Sequence, residues 1–155
     1  MAKAKKKVDH PWVSIATICE KWLVEKDDVT SVIRMVDRFT VPRPAGWDGK
    51  EPIGLPLLGV IGLRSGGIKG RRTVRIYGTS PKGKRSKIQD IPVEFLGGDS
   101  GVNIRLSIMF GFKTEGTHWL DVYVEKWHAT RIPVTIVFAR ATQAESPTSD
   151  GQPSP

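Results

Sequence analysis

Apolar and polar positions along this chain alternate with a period of two far more often than with the 3.6-residue period of a helix. The clearest stretch runs from Gly116 to Ala139. There Leu120, Val122 and Val124 fall on one side, and Trp119, Asp121, Tyr123, Glu125 and Trp127 on the other. Side chains alternate across a strand, so the pattern predicts a half-buried strand. After a short turn a second strand follows, with Val134, Ile136 and Phe138 inward. Two strands with one oily face are unstable alone in water. The rest of the chain must supply the surface that covers them.

The preceding residues supply more strands. Trp12 to Glu20 reads as the first, and Asp27-Asp28 as a turn. Val29 to Phe39, rich in β-branched residues, reads as the second strand of an antiparallel hairpin, with a short helix as the alternative. Pro42 to Pro56 holds four prolines and three glycines and is a long connection, with Trp47 at its middle. Leu57–Leu63 has the length of a buried strand, and Ser65-Gly66-Gly67 begins a turn. Thr73–Thr79 alternates, and Ser80-Pro81-Lys82-Gly83 is a turn. Lys87–Leu96 holds a strand in which Pro92 marks an edge or a bulge. Gly97–Gly101 is a loop, and Asn103–Phe110 alternates again. The sum is about eight short strands with frequent turn signals, which predicts an all-β, two-sheet antiparallel β-sandwich. The domain is expected over residues 10–142. A basic tail, 1–9, and a Ser/Pro/Gly/Gln-rich tail, 143–155, are expected to be disordered.

The order of features resembles a family of small bacterial proteins described as immunoglobulin-like β-sandwiches, without an assigned activity. The matching pieces are Ile18-Cys19-Glu20, Met35-Val36-Asp37-Arg38-Phe39, Pro42 with Leu57-Leu58-Gly59-Val60, the Pro81-Lys82-Gly83 turn and Glu115-Gly116-Thr117-His118-Trp119. The resemblance covers roughly residues 12–139 and implies an immunoglobulin-like arrangement of the sheets.

Charge changes the picture. The chain of 155 residues carries a net charge of +8. Lys3, Lys5, Lys6 and Lys7 lie in the N-terminal tail. From Pro52 to Gln89 there is no Asp or Glu, but there are Arg64, Lys69, Arg71, Arg72, Arg75, Lys82, Lys84, Arg85 and Lys87. This asymmetry marks the span as a candidate anion or nucleic-acid site. The loops 64–72 and 80–87 would lie at opposite ends of strand 73–79, about 20 Å apart, with Tyr77 the only aromatic platform between them. The glycine-rich piece Gly62–Arg72 lacks the order of a phosphate loop; it reads as a hairpin turn whose amides and cations could hold an anion.

Catalytic chemistry finds little support. The single cysteine, Cys19, ends an apolar strand, where a thiol is inert. His10, His118 and His128 show no ligand spacing with it, so neither a metal nor a cofactor is expected. Asp121 and Glu125 would lie about 13 Å apart on one strand, too far for paired-carboxylate chemistry. One cysteine permits no internal disulfide, which fits a reducing cytoplasm. Asp9, His10 and Pro11 interrupt the basic-then-apolar start that a signal peptide would need. No apolar run is long enough for a membrane helix.

The aromatic stripe is the leading candidate for function. Trp119, Tyr123 and Trp127, with Trp47 of the long connection, form the expected partner-binding set. The expected function is a non-enzymatic interaction module, cytoplasmic, binding a protein partner or a second copy of itself. Electrostatic nucleic-acid binding through the tail and residues 64–87 is the alternative, and carbohydrate binding a third. No small-molecule substrate and no membrane are expected among its partners. Whether the connection 42–56 folds over the aromatic face is left open by the sequence.

Overall fold

The computed structural model describes residues 10–140, so the two expected tails and the last two residues of the expected domain lie outside the described part. The strands are β1 (Trp12–Val24), β2 (Thr30–Met35), β3 (Arg38–Val41), β4 (Ile53–Thr79), β5 (Arg85–Phe112), β6 (Gly116–Val124) and β7 (Trp127–Phe138). The protein is all-β, as the alternation implied. Hydrogen bonds link all seven strands into one sheet, strongly curled and open, a half-barrel. No helix among the described residues is long and apolar enough to cross a membrane.

Four of the expected strands are in fact two. Leu57–Leu63 and Thr73–Thr79 are parts of the single strand β4, and Lys87–Leu96 and Asn103–Phe110 are parts of β5. The turn and loop expected between them, including the glycine-rich piece 62–72, are paired with each other instead. Gly66 pairs with Gly98 and Gly70 with Phe95. The glycines are spent on a bend: register shifts fall between Arg64 and Lys69, and φ is 57° at Gly66, 86° at Gly70, 84° at Gly97 and 59° at Gly98. Left-handed backbone is cheap for glycine, so the long hairpin turns here without breaking.

That bend organises the fold. β5 covers one flank of β4 along its length. On the other flank β1 pairs with residues 58–64 and β6 with residues 74–79. The predicted hairpins β1–β2 and β6–β7 both form. The expected second strand, Val29–Phe39, is split at Val36-Asp37, and no helix forms there. Its first part, β2, runs antiparallel to β1, and its second, β3, runs parallel to β7. At the crossing, Val36 N–H donates to Ile18 O (2.9 Å) and Thr135 N–H to Asp37 O (2.6 Å). The chain thus ties the two ends of the curled sheet together.

The concave side holds the core. Ile61, Leu63, Val74, Ile76, Leu120, Val122, Val134 and Ile136 are wholly buried. Val74, Ile76, Leu120, Val122, Val134 and Ile136 are inward positions of the alternation read from the sequence, and Ile61 and Leu63 belong to the apolar run expected to be a buried strand. Phe110 packs against Gly78, joining the two halves of the long hairpin across the core. Gly59 lies where a Cβ would come within 2.7 Å of Thr17 O, so β1 and β4 approach closely only because no side chain intervenes.

Candidate functional site

Two of the sequence-predicted sites occupy one surface. The convex face of β4 and β6 pairs Arg75 with Tyr123, Tyr77 with Asp121 and Thr79 with Trp119. Across β4, Thr79 pairs with Arg85. Residues directly opposite on paired strands share a face. The aromatic stripe and the basic span therefore meet: Tyr77 and Tyr123 contact edge to face at 5.6 Å, and the Arg85 guanidinium lies 3.8 Å from the first ring centroid and 4.5 Å from the second. Arg131 lies over Trp119 at 4.6 Å. Alternation along β4 continues this face to Arg71, and the bend at Gly70, with φ 86°, ends it there. Tyr77 is not the only platform beside Arg75, because a neighbouring strand brings two more rings that sequence spacing could not reveal.

Asp121 is the buried anchor of the face, only 5% exposed. Its Oδ2 accepts from Thr79 Oγ1 at 2.6 Å, and its Oδ1 from Arg131 Nε at 3.0 Å. His128 Nε2 lies 3.4 Å from the same Oδ1, and its ring packs on Tyr123. Burial pushes the Asp121 carboxyl pKa up, but the Thr79 and Arg131 hydrogen bonds and the nearby positive charge outweigh it, and the net shift is downward. The carboxylate fixes Arg131 above Trp119.

Arg75 is also held. Its Nη1 donates to the Glu125 carbonyl at 2.8 Å and lies 3.4 Å from Oε2. Glu125 Oε1 accepts from Thr73 N–H at 2.7 Å, which ties the β6–β7 turn to β4. Arg85 differs from both. It is exposed, is held by two rings, and has no carboxylate within ion-pair distance among the described residues. Lys82 and Lys84 lie exposed in the adjoining turn, and Lys87 is paired with Asp90. At the bend the remaining cations separate: Arg64 donates to Asp99 O, Lys69 crosses Gly97, and Arg72 lines a different cleft.

Trp127 does not belong to the aromatic stripe. Its expected position assumed unbroken alternation from 119 to 127. A two-residue turn, Glu125-Lys126, intervenes, with Glu125 at φ 53°, and Trp127 pairs with Val124 on the core side. It packs against the core and stacks on His10 at 5.0 Å, in a cleft of about 420 Å³ lined by Ile68 and Arg72. Trp127→Ala should therefore lower stability by about 2 kcal/mol, below the roughly 3–5 kcal/mol for losing a fully buried large aromatic, because the ring is only half buried. Thermal melting checks this, and a variant as stable as the parent would return Trp127 to the surface.

Trp47 is also elsewhere. Its Nε1 donates to Glu51 O, and its ring meets Phe138 at 5.5 Å and Arg43 at 5.6 Å. Trp47 thus packs on Phe138 at the end of β7, while Trp119 and Tyr123 contact the arginines described above. Cys19 is buried, and burial raises its pKa, which keeps it a thiol. His118 faces inward, between Phe110 and Phe112, with Nε2 bonded to Thr114 O. No group of three or more His, Cys, Asp or Glu able to hold a metal occurs among the described residues.

Fold and face together define an all-β protein with a cationic, aromatic sheet surface. No protein-family model matches the chain, nor does any curated protein. Among solved structures, β-glucosidase 3B from Thermotoga neapolitana in complex with glycerol matches with a TM-score of 0.43 at 16% identity, over 58% of this chain and 14% of the glucosidase. The same enzyme in complex with glucose gives a TM-score of 0.43 at 17% identity and the same coverage. This chain thus matches a small fraction of those enzymes' length.

Proposed function

We propose that the protein is a non-enzymatic binding module whose convex face on β4, β5 and β6 receives an anionic chain, with single-stranded nucleic acid as the fitting class. The observation that carries this reading is Arg85 lying across Tyr77 and Tyr123 with no carboxylate partner among the described residues. A guanidinium held by rings keeps its charge and its planar donors for a phosphate, and its flat surface for a base. Trp119 under Arg131 repeats the arrangement on the same strand as Tyr123. Single-strand binders combine a cationic track with such stacking surfaces. The immunoglobulin-like sandwich expected from the sequence belongs to the same proposal. Its layers would be the two halves of the bent sheet, and the packing of Phe110 on Gly78 across the core supports it.

The test is fluorescence anisotropy with a labelled oligothymidylate of about 15 nucleotides, within the length range such surfaces span. Binding should weaken steeply as salt rises from about 50 to about 200 mM. Arg85→Ala and Tyr123→Ala should each weaken it by about fivefold or more, the low end for losing one stacked base. Trp47→Ala, remote from the face, should leave it unchanged. No binding at the lower salt would overturn the nucleic-acid reading and leave a protein partner as the ligand of this surface.

A further inference from the structure

We infer that the second half of β5, Gly101–Phe112, is a dimerisation edge that pairs antiparallel with the same segment of a second copy. β5 pairs with β4 and with no other strand among the described residues. An edge strand presents a row of unpaired backbone donors and acceptors, which proteins blunt with proline, lysine, bulges or charges. The first half of β5 is blunted in this way: it carries Lys87, Asp90, Pro92 and Glu94, with register shifts opposite Tyr77 and at the bend. The second half lacks proline, lysine and bulges, and its one charge, Arg105, is paired with Asp28. It pairs without interruption from Ile53↔Phe112 to Arg64↔Gly101.

The side chains suit self-pairing. Ile104, Leu106, Ile108, Phe110 and Phe112 point into the core, so adding a strand would extend one buried layer. Asn103, Arg105, Ser107 and Met109 alternate with them on the exposed side, with Met109 65% exposed. A two-fold axis through Ser107 sets each Arg105 opposite the other copy's Met109, and Asn103 opposite Gly111. No like charges face each other. A closed, isologous pair of this kind satisfies both edges at once, so assembly stops at two copies. The β1–β2 hairpin touches this half of β5 at two points, Asp28 to Arg105 and Trp22 Nε1 to the Leu106 carbonyl at 3.4 Å, and the paired dimer has to accommodate or displace that long Trp22 contact.

Sedimentation equilibrium of the full chain tests the inference. The parent should show a concentration-dependent monomer–dimer equilibrium. Ser107→Lys sets two ammonium groups face to face at the axis, and Ser107→Glu two carboxylates. Each should raise the dimer dissociation constant by about tenfold or more, because like charges juxtaposed across an interface repel. An equimolar mixture of the two variants should recover association as a heterodimer. Met109→Lys, which faces the other copy's Arg105, should weaken the dimer by an independent route. Ser107 and Met109 are exposed, so melting curves should show all three variants folded. A parent that stays monomeric at about 0.1 mM, weaker than any specific dimer of use at micromolar levels, overturns the inference. So does a dimer that neither charge weakens, or one that the mixture fails to restore.

Discussion

Ile136→Asp should leave the protein unfolded, while Thr135→Asp, one residue away, should leave it folded. Ile136 has no exposed surface and pairs with Gly116 on the core side of β7. A carboxylate placed there has no partner. It costs several kcal/mol, on top of the transfer energy lost with the isoleucine, against a total stability of about 5–15 kcal/mol for a domain. Thr135 points the other way. Its hydroxyl contacts Thr117 at 3.3 Å on the partly exposed face, so the substitution removes one weak hydrogen bond. Circular dichroism and thermal melting of the two variants decide the matter. Equal folding of both would mean that the register pairing Gly116 with Ile136 is wrong.

Asp121→Ala should cost about 3 kcal/mol, the size of losing charge-assisted hydrogen bonds at a buried carboxylate. Thr79 Oγ1 and Arg131 Nε would both lose their acceptor. Arg131 and His128 are partly exposed, so solvent offsets part of the charge term and the loss falls short of that for a fully buried pair. The acid sensitivity should change as well. The folded state holds the Asp121 pKa below its ordinary value of 3.8, so the folded state binds this proton more weakly than the unfolded one. The stabilisation is then fully present above that value and is lost as pH falls through the lower, folded one. Urea titrations of parent and variant at neutral pH and at about pH 3 should show the stability gap narrowing in acid. A gap that stays constant would mean that Asp121 does not titrate with folding.

The long hairpin explains why strand content was legible and strand count was not. Alternation reports which side a residue faces, and it identified Leu120, Val122, Val134 and Ile136 as core. It does not report whether two strands separated by glycines are two elements or one bent element. Gly66 and Gly70 pair across to Gly98 and Phe95, and a pairing partner about thirty residues away leaves no local mark. The division of Val29–Phe39 has the same cause. Nothing in that run signals that its halves bond to different strands, and only the positions of β1 and β7 impose the break at Val36-Asp37.

The candidate site divides along the same line. The residue types that matter, an aromatic stripe and an acid-free basic span, were determined by the sequence alone. So were the all-β class, the inward positions and the turns at Asp27-Asp28 and Ser80–Gly83. Only the tertiary structure decided that stripe and span are one surface, because cross-strand register sets Arg85 beside Tyr77 and Tyr123. It also decided that Trp127 leaves that surface. A two-residue turn reverses the chain and pairs Trp127 with Val124, and counting by twos through Glu125 and Lys126 cannot detect a reversal. Period and composition are properties of neighbouring residues; register and curvature are properties of strands that meet only in the folded chain.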